Sequence, residues 1–308
     1  MPAKPSLLTA VGLLAGVAAL STSAIFVKLT DAPASALAAY RLLLSALFLL
    51  PVVLSARGSL SSLLKLRGRQ LGLVLLAGCF LALHYLLWFA SLRFTSVVSS
   101  TVLVSLQPLF SFLGAYLWFG EKQKRFALAG GLLAIAGSFV IGGSDLGFGG
   151  TALLGDALAL LAAAAMAGYF LVGQSIQSAL PLSAFSFTAY GLSGLLLAGY
   201  SLVLGVPLTG YGAWDWSMFL GLAIVPTLIG QSILSGLVRR IGASTVSMAI
   251  IGEPVGTAIL AYWLLQEAIT VQQVTGGMIM LAGIALFMAN SPARSRREDR
   301  NPAPVSQP

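Results

Sequence analysis

A carboxylate followed directly by a proline, Glu253-Pro254, stands in the middle of an apolar run from Gly242 to Leu265. A run of that length crosses the hydrocarbon core of a bilayer, which takes about 20 helical residues. Pro254 has no N–H and crowds the carbonyl four residues back, so it leaves the carbonyl of Ile250 without a helical partner. An ionisable group at that depth is costly unless something uses it or pairs with it. Two roles are open for Glu253: a translocation-site group able to exchange a proton, or a structural carboxyl in a helix contact. Gly252 and Gly256 form a GxxxG face on which a second helix backbone can approach closely. Earlier by 146 residues, Gln107-Pro108 repeats the break without the charge.

Other polar groups fall at membrane depth. Arg41 lies about two turns inside an apolar helix, where it pairs, faces a polar cavity or snorkels. His84 is the only histidine, and His84, Trp88 and Ser91 recur at helical spacing. That stripe either lines a cavity or holds a satisfied structural histidine. Gln107, Gln174 and Gln231 are uncharged hydrogen-bonding groups suited to gluing helices together or to lining a site. Ser99, Ser100 and Thr101 read as packing residues. Glu121 and Glu267 sit at helix ends near an interface, in capping or packing positions.

These residues must be positioned by membrane helices. The chain has 58% apolar and 8% charged residues, against roughly a quarter charged in soluble domains. Its 308 residues leave room for about ten spans and little else. Helices are expected at about Leu7–Val27, Ser35–Leu54, Gln70–Ser91, Ser96–Trp118, Phe126–Gly142, Leu153–Val172, Ser183–Leu204, Trp216–Leu237, Ala243–Leu265 and Val271–Met288. The first resembles a signal peptide in having Lys4 before an apolar run, but it is long and has a repeat partner in mid-chain. The net charge of +8 would suggest nucleic acid in a soluble protein. Here the basic residues lie in short loops, so a membrane surface is the expected partner and nucleic acid is not.

With the N-terminus in the cytoplasm, the basic residues of the loops at Arg57–Arg69, Lys122–Arg125 and Arg239–Arg240 fall inside, with Lys4 and the tail. Only Lys28 and Arg93 fall outside, a clear positive-inside bias. Tyr211, Trp214 and Trp216 fit an outer aromatic belt. The tail 291–308 is polar, basic and proline-containing, and reads as disordered and cytoplasmic.

Shifting Arg93–Gly142 by 146 residues without a gap pairs Pro108 with Pro254 and Glu121 with Glu267. The same shift pairs Gly130-Gly131 with Gly276-Gly277, and Ala136-Gly137 with Ala282-Gly283. The expected organisation is one five-helix repeat over 1–145 and a second over 146–290. Five is odd, so the second half enters the membrane inverted. The loops agree, since Lys122–Arg125 is replaced by the uncharged Ala268–Gln273 within the second half. Inverted repeats place a binding site at their interface near the midplane.

On these residues the chain resembles the drug/metabolite transporter superfamily, and within it the EamA-type transporters. The resemblance is carried by the run Ala82–Ser96, the pattern Pro108…Gly120-Glu121…Gly130, its second copy Glu253-Pro254…Glu267…Gly276, and Arg41. It covers roughly Leu7 to Met288. It implies two tandem five-helix repeats and secondary transport, often export, of substrates as diverse as amino acids, other metabolites and drugs. Members commonly carry a tryptophan in the first and sixth helices. Ser21 and Met166 stand there in this chain, so no substrate contact is carried over to those positions.

An enzyme is the competing class. One histidine and one cysteine exclude HExxH and Cys-rich zinc sites, and neither GxSxG nor GxxxxGK[ST] occurs. The glycine-rich segment Gly142–Gly150 reads as the linker between repeats. The expectation is therefore an all-α polytopic protein that is not an enzyme and uses no cofactor or metal. It would be a secondary active transporter, in the exporting direction, of small polar metabolites such as amino acids, with alternating access and proton coupling open to it. A passive channel or facilitator is the alternative, and a lipid-processing enzyme a weaker one. The expected site is Arg41, His84, Trp88, Gln107, Pro108, Gln231, Glu253 and Pro254, with Glu121, Glu267, Gly252 and Gly256 structural. The expected location is a bacterial inner membrane, and a homodimer is allowed for.

Overall fold

The computed structural model describes residues 7–56, 58–95, 97–121, 124–142, 150–176, 180–266 and 271–290. The side chains of 97–99, 142, 150–151, 265 and 273 are not among those described. Lys4, Arg57, Lys122, the linker residues 143–149, Glu267 and the tail 291–308 lie outside the described residues.

No strand occurs among the described residues, and the apolar runs are helices. The first half holds α1 (Leu7–Lys28), α2 (Ala34–Ser55), the short α3 (Ser59–Leu64), α4 (Gly68–Ser91), α5 (Val97–Val104), α6 (Gln107–Phe119) and α7 (Arg125–Gly142). The second half holds α8 (Gly150–Ile176), α9 (Leu182–Val203), α10 (Ala213–Leu222), a π-helical stretch (Ala223–Gln231) that continues into α11 (Ser232–Ile241), α12 (Ala243–Ile250), α13 (Glu253–Leu265) and α14 (Val271–Asn290). Among the described residues, eight stretches are long and apolar enough to cross a membrane, and 125–141 and 274–290 are two shorter apolar helices. The protein is an all-α polytopic membrane protein. Leucines such as Leu117 and Leu202 are exposed on its outside, which suits helices that face lipid and satisfy their own backbone.

The two spans expected to be broken at a proline are each built from two half-helices. The fourth splits into α5 and α6, the ninth into α12 and α13. The reason is the proline. Pro108 and Pro254 occupy the second residue of α6 and α13, where a missing N–H has no partner to lose and the fixed φ suits a helix start. The chain therefore restarts its helix instead of kinking through. Every bound of α5 and α6 maps onto the matching bound of α12 and α13 by the same 146-residue shift. The eighth span also departs from a plain helix, being π-helical through its middle around Pro226. There the Thr227 hydroxyl donates to the Leu222 carbonyl five residues back at 2.8 Å.

The inversion is visible where α7 packs along α14. A methyl added at Gly130 would meet the Gly283 carbonyl at 2.8 Å and the Phe287 amide nitrogen at 2.5 Å. One added at Gly276 would meet the Gly137 carbonyl and the Ile141 nitrogen, both at 2.8 Å. Those two sets are each other's images under the 146-residue shift. The same holds for Gly137, against Gly276 and Met280, and for Gly283, against Gly130 and Ala134. Such reciprocal contacts are the mark of a two-fold relation, and the crossed order makes the two helices antiparallel. The two halves are thus inverted repeats, joined by glycines that let the backbones touch.

One position breaks the repeat's own rule. Gly120 ends α6 in the left-handed conformation at φ 66°, and the amides of Gly120 and Glu121 close back onto Tyr116 and Ala115, a Schellman end. At the equivalent place in α13 stands Gln266 with φ 55°, the only non-glycine with positive φ among the described residues. A side chain in that region costs roughly 1–2 kcal/mol. Gln266→Gly is expected to raise the unfolding midpoint in detergent, and a lowered midpoint would contradict the strain.

Candidate functional site

The helix breaks fall where Pro108 and Pro254 each remove a helical hydrogen bond, and a cavity forms beside them. Its free volume is about 40 Å³, room for roughly two or three water molecules. Six of the eight residues expected at the site line it: Arg41, His84, Trp88, Gln107, Gln231 and Glu253. Pro108 and Pro254 are buried beside it and set the breaks. The α1 and α4 residues on its wall, such as Ser23 and Trp88, fall in the second half of those helices, and Arg41 in the first half of the antiparallel α2. The cavity therefore lies between the midplane and the face at which α1 and α4 end.

Arg41 is 1% exposed. Its Nε donates to the Thr227 hydroxyl at 2.7 Å and one terminal nitrogen donates to the Ser23 hydroxyl at 2.8 Å. The Tyr85 ring lies 4.6 Å from the guanidinium carbon, within cation–π range. These partners hold a buried positive charge in place without neutralising it. Glu253 shares the cavity. Its backbone carbonyl accepts the Ser21 hydroxyl at 3.1 Å, and the Thr257 hydroxyl donates to the Ser21 carbonyl at 3.2 Å. The α1–α13 crossing closes here: a methyl at Gly256 would strike Ser21, whereas the side chains nearest Gly252 stand 3.6 Å or more away. Of the two glycines, Gly256 carries the close approach.

His84 donates from Nδ1 to the Ala162 carbonyl at 3.0 Å, since a carbonyl can only accept. The hydrogen bond fixes the ring, and Trp88 stacks near it with centroids 5.8 Å apart. Ser91, third of that stripe, bonds the Ser100 hydroxyl at 2.5 Å and the Trp88 carbonyl at 2.6 Å; it joins α4 to α5 and is not on the cavity wall. Gln107 donates to the Ser247 hydroxyl at 2.9 Å, and Ser247 also bonds Ser111, so this amide ties the first break to α12. Gln231 differs. It is 1% exposed, and its polar atoms make no hydrogen bond of good geometry, only a weaker interaction with the Tyr169 hydroxyl; the Trp88 indole nitrogen has no hydrogen-bond partner. A buried polar group left unsatisfied costs about 1–3 kcal/mol, and a polar guest in this cavity would satisfy both.

Residues missed in the sequence complete the wall: Ser23, Tyr85, Thr101, Ser105 and the apolar Leu20, Val104 and Ile250, with Met166. Thr101, expected in a packing position, is on the cavity wall. Tyr85 was accessible to the same helical count that selected His84 and Trp88, while Ser23 carried no signal. Gln174 and Glu121 lie elsewhere, at the ends of α8 and α6, where Gln174 Nε2 donates to the Glu121 carboxylate at 2.9 Å. Among the described residues, no cluster of three or more His, Cys, Asp or Glu side chains could hold a metal.

The profile of a family described as the EamA-like transporter family matches residues 7–143 and again 153–289. An uncharacterized transporter of the archaeon Archaeoglobus fulgidus is 27% identical over 258 residues, which is 82% of this chain and 87% of that one. A second uncharacterized transporter of the same organism is 27% identical over 101 residues, 33% of this chain and 35% of that one. A solved structure described only as a crystal structure of protein superposes with a TM-score of 0.77 at 18% identity, over 90% of this chain and 95% of the other. That likeness is one of fold alone.

Proposed function

The chain belongs to the EamA-like transporter family, and from that premise we propose that it is a secondary active carrier exporting small polar metabolites, amino acids or related compounds, by alternating access. The observation that carries this reading is the cavity at the two helix breaks, which Arg41, Glu253 and the buried Gln231 amide line together. Broken helices at the repeat interface supply backbone dipoles and a pivot for rocking one repeat against the other. A buried cation and a carboxyl in one cavity suit a guest with complementary charges. Glu253 is the group proposed to exchange the coupled proton, and the driving force is an ion gradient, since no phosphate-binding loop for ATP occurs in the sequence. A passive channel has the same repeats but cannot concentrate its substrate.

The bilayer in this proposal is a bacterial inner membrane, which helical spans suit and the outer membrane's barrels do not. Both termini are placed in the cytoplasm by the loop charges. A reporter fused at Ser59 is expected to read cytoplasmic and one at Gly212 external; the reverse pattern would overturn the orientation. The substrate is sought by comparing metabolites exported by expressing and non-expressing cells. A compound enriched outside only with the protein supports export, and identical profiles count against it.

A further inference from the structure

The cavity ends short of one membrane face, and beyond it a glutamine amide bridges two helix ends. Below Met166 on the cavity wall, α8 runs eight more residues to Gln174, about 12 Å of helix rise. The layer between is filled by buried Phe170, Leu171, Leu234 and Val246. Beneath it Gln174, itself 9% exposed, makes two hydrogen bonds in opposite senses. Its Nε2 donates to the Glu121 carboxylate at 2.9 Å, and its Oε1 accepts the Ala243 amide at 2.6 Å. Glu121 belongs to the first repeat, just past the Gly120 end of α6. Ala243 begins α12, whose other end is the break that places Glu253 in the cavity.

We propose that Gln174 is a gate latch: it clamps the first repeat's Glu121 to the head of α12 and so keeps the cavity closed toward the face where α6 ends. α12 is eight residues long and free of proline, so it moves as a rod. Releasing its head turns it about the Ile251-Gly252 break and shifts the floor of the cavity. Gly242, with φ 83°, supplies the hinge at the latch end of α12, and a Cβ there would lie 3.8 Å from Gln174 Oε1 and 3.9 Å from the Glu121 carboxylate, within the latch itself. The inference rests on the alternating-access reading, because a latch matters only if the face opens.

The test uses the full-length protein in membrane vesicles of either orientation. Cys79, the single native cysteine, is exposed and is replaced by alanine. Ser244→Cys then serves as reporter, because the Ser244 hydroxyl is 1% exposed and has no hydrogen-bond partner to lose. A charged, membrane-impermeant maleimide reads its accessibility. Gln174→Glu sets two carboxylates against each other and is expected to speed labelling from the latch face by about tenfold, the scale of losing one hydrogen bond to a charged group. Adding Glu121→Gln restores a donor opposite the new carboxylate, which still accepts the Ala243 amide. That swapped pair is expected to label as slowly as the parent. Glu121→Ala, at a half-buried helix end, gives the same opening where Gln174→Glu does not assemble. Labelling at the parent rate in the single variants, or a swap that stays open, overturns the latch. Labelling requires no substrate, so a failure of the transport reading shows in flux while the latch is still read.

Discussion

Glu253→Gln is expected to abolish gradient-driven accumulation in proteoliposomes while leaving substrate exchange in place. The substitution keeps the size of the side chain, its acceptor oxygen and its place in the first turn of α13, and removes only the exchangeable proton. Its backbone carbonyl still accepts the Ser21 hydroxyl, so the α1–α13 crossing that closes on Gly256 keeps its contact. Glutamine therefore stands for the permanently protonated carboxyl. A carrier that must load and release a proton at this position stalls in net transport, whereas one that only exchanges bound substrate between the two sides does not. A purely structural carboxyl gives the other result: pH-driven accumulation by Glu253→Gln at the parent rate leaves Glu253 as a helix-contact residue.

The second large effect concerns folding. Gly130→Ala and Gly276→Ala are expected to destabilise the protein to similar extents, because each new methyl meets backbone atoms within 2.8 Å. Overpacking ordinarily costs about 1–3 kcal/mol, and the upper end applies where the obstacle is backbone that cannot rotate aside. A methyl at Gly199 meets nothing within 4 Å, so Gly199→Ala serves as the tolerated control. The measurement is the unfolding midpoint and monodispersity in detergent. Equal losses at the two positions express the two-fold relation of α7 and α14. A Gly276→Ala variant as stable as the Gly199→Ala control would contradict the close antiparallel contact.

Much of the architecture was legible because the repeat wrote it twice. The prolines at 108 and 254 and the glycines of α7 and α14 recur at one offset, and a fixed offset with an odd number of helices forces inversion. Pro33 and Pro181 each head the second helix of their repeat, but they stand 148 residues apart, so the gap-free shift does not pair them. That the breaks are full restarts was less legible, since a proline in a long apolar run is compatible with a kink or a new first turn. The π-helical stretch around Pro226 had no distinct signature. In the site, the single-residue chemistry of Glu253, Arg41 and Gln231 stood out against an apolar background. Their partners did not. Arg41 meets Ser23 and Thr227, 18 and 186 residues away, and a serine among apolar helices gives no sign of which helix it will face. Gln174 was noted as an amide at depth, but its bridge to Glu121 and Ala243 depends on how three helix ends converge, which no spacing along the chain encodes.

The central claim, that this protein is a coupled carrier, is tested most directly by uptake of a panel of radiolabelled L-amino acids into proteoliposomes holding the parent protein. A pH gradient is imposed and then collapsed with a protonophore. The account predicts that at least one compound accumulates above its external concentration while the gradient lasts and leaks back to equality when it is collapsed. Uptake that never exceeds equality for a compound the protein does carry, with or without the gradient, would make it a passive facilitator and contradict the account.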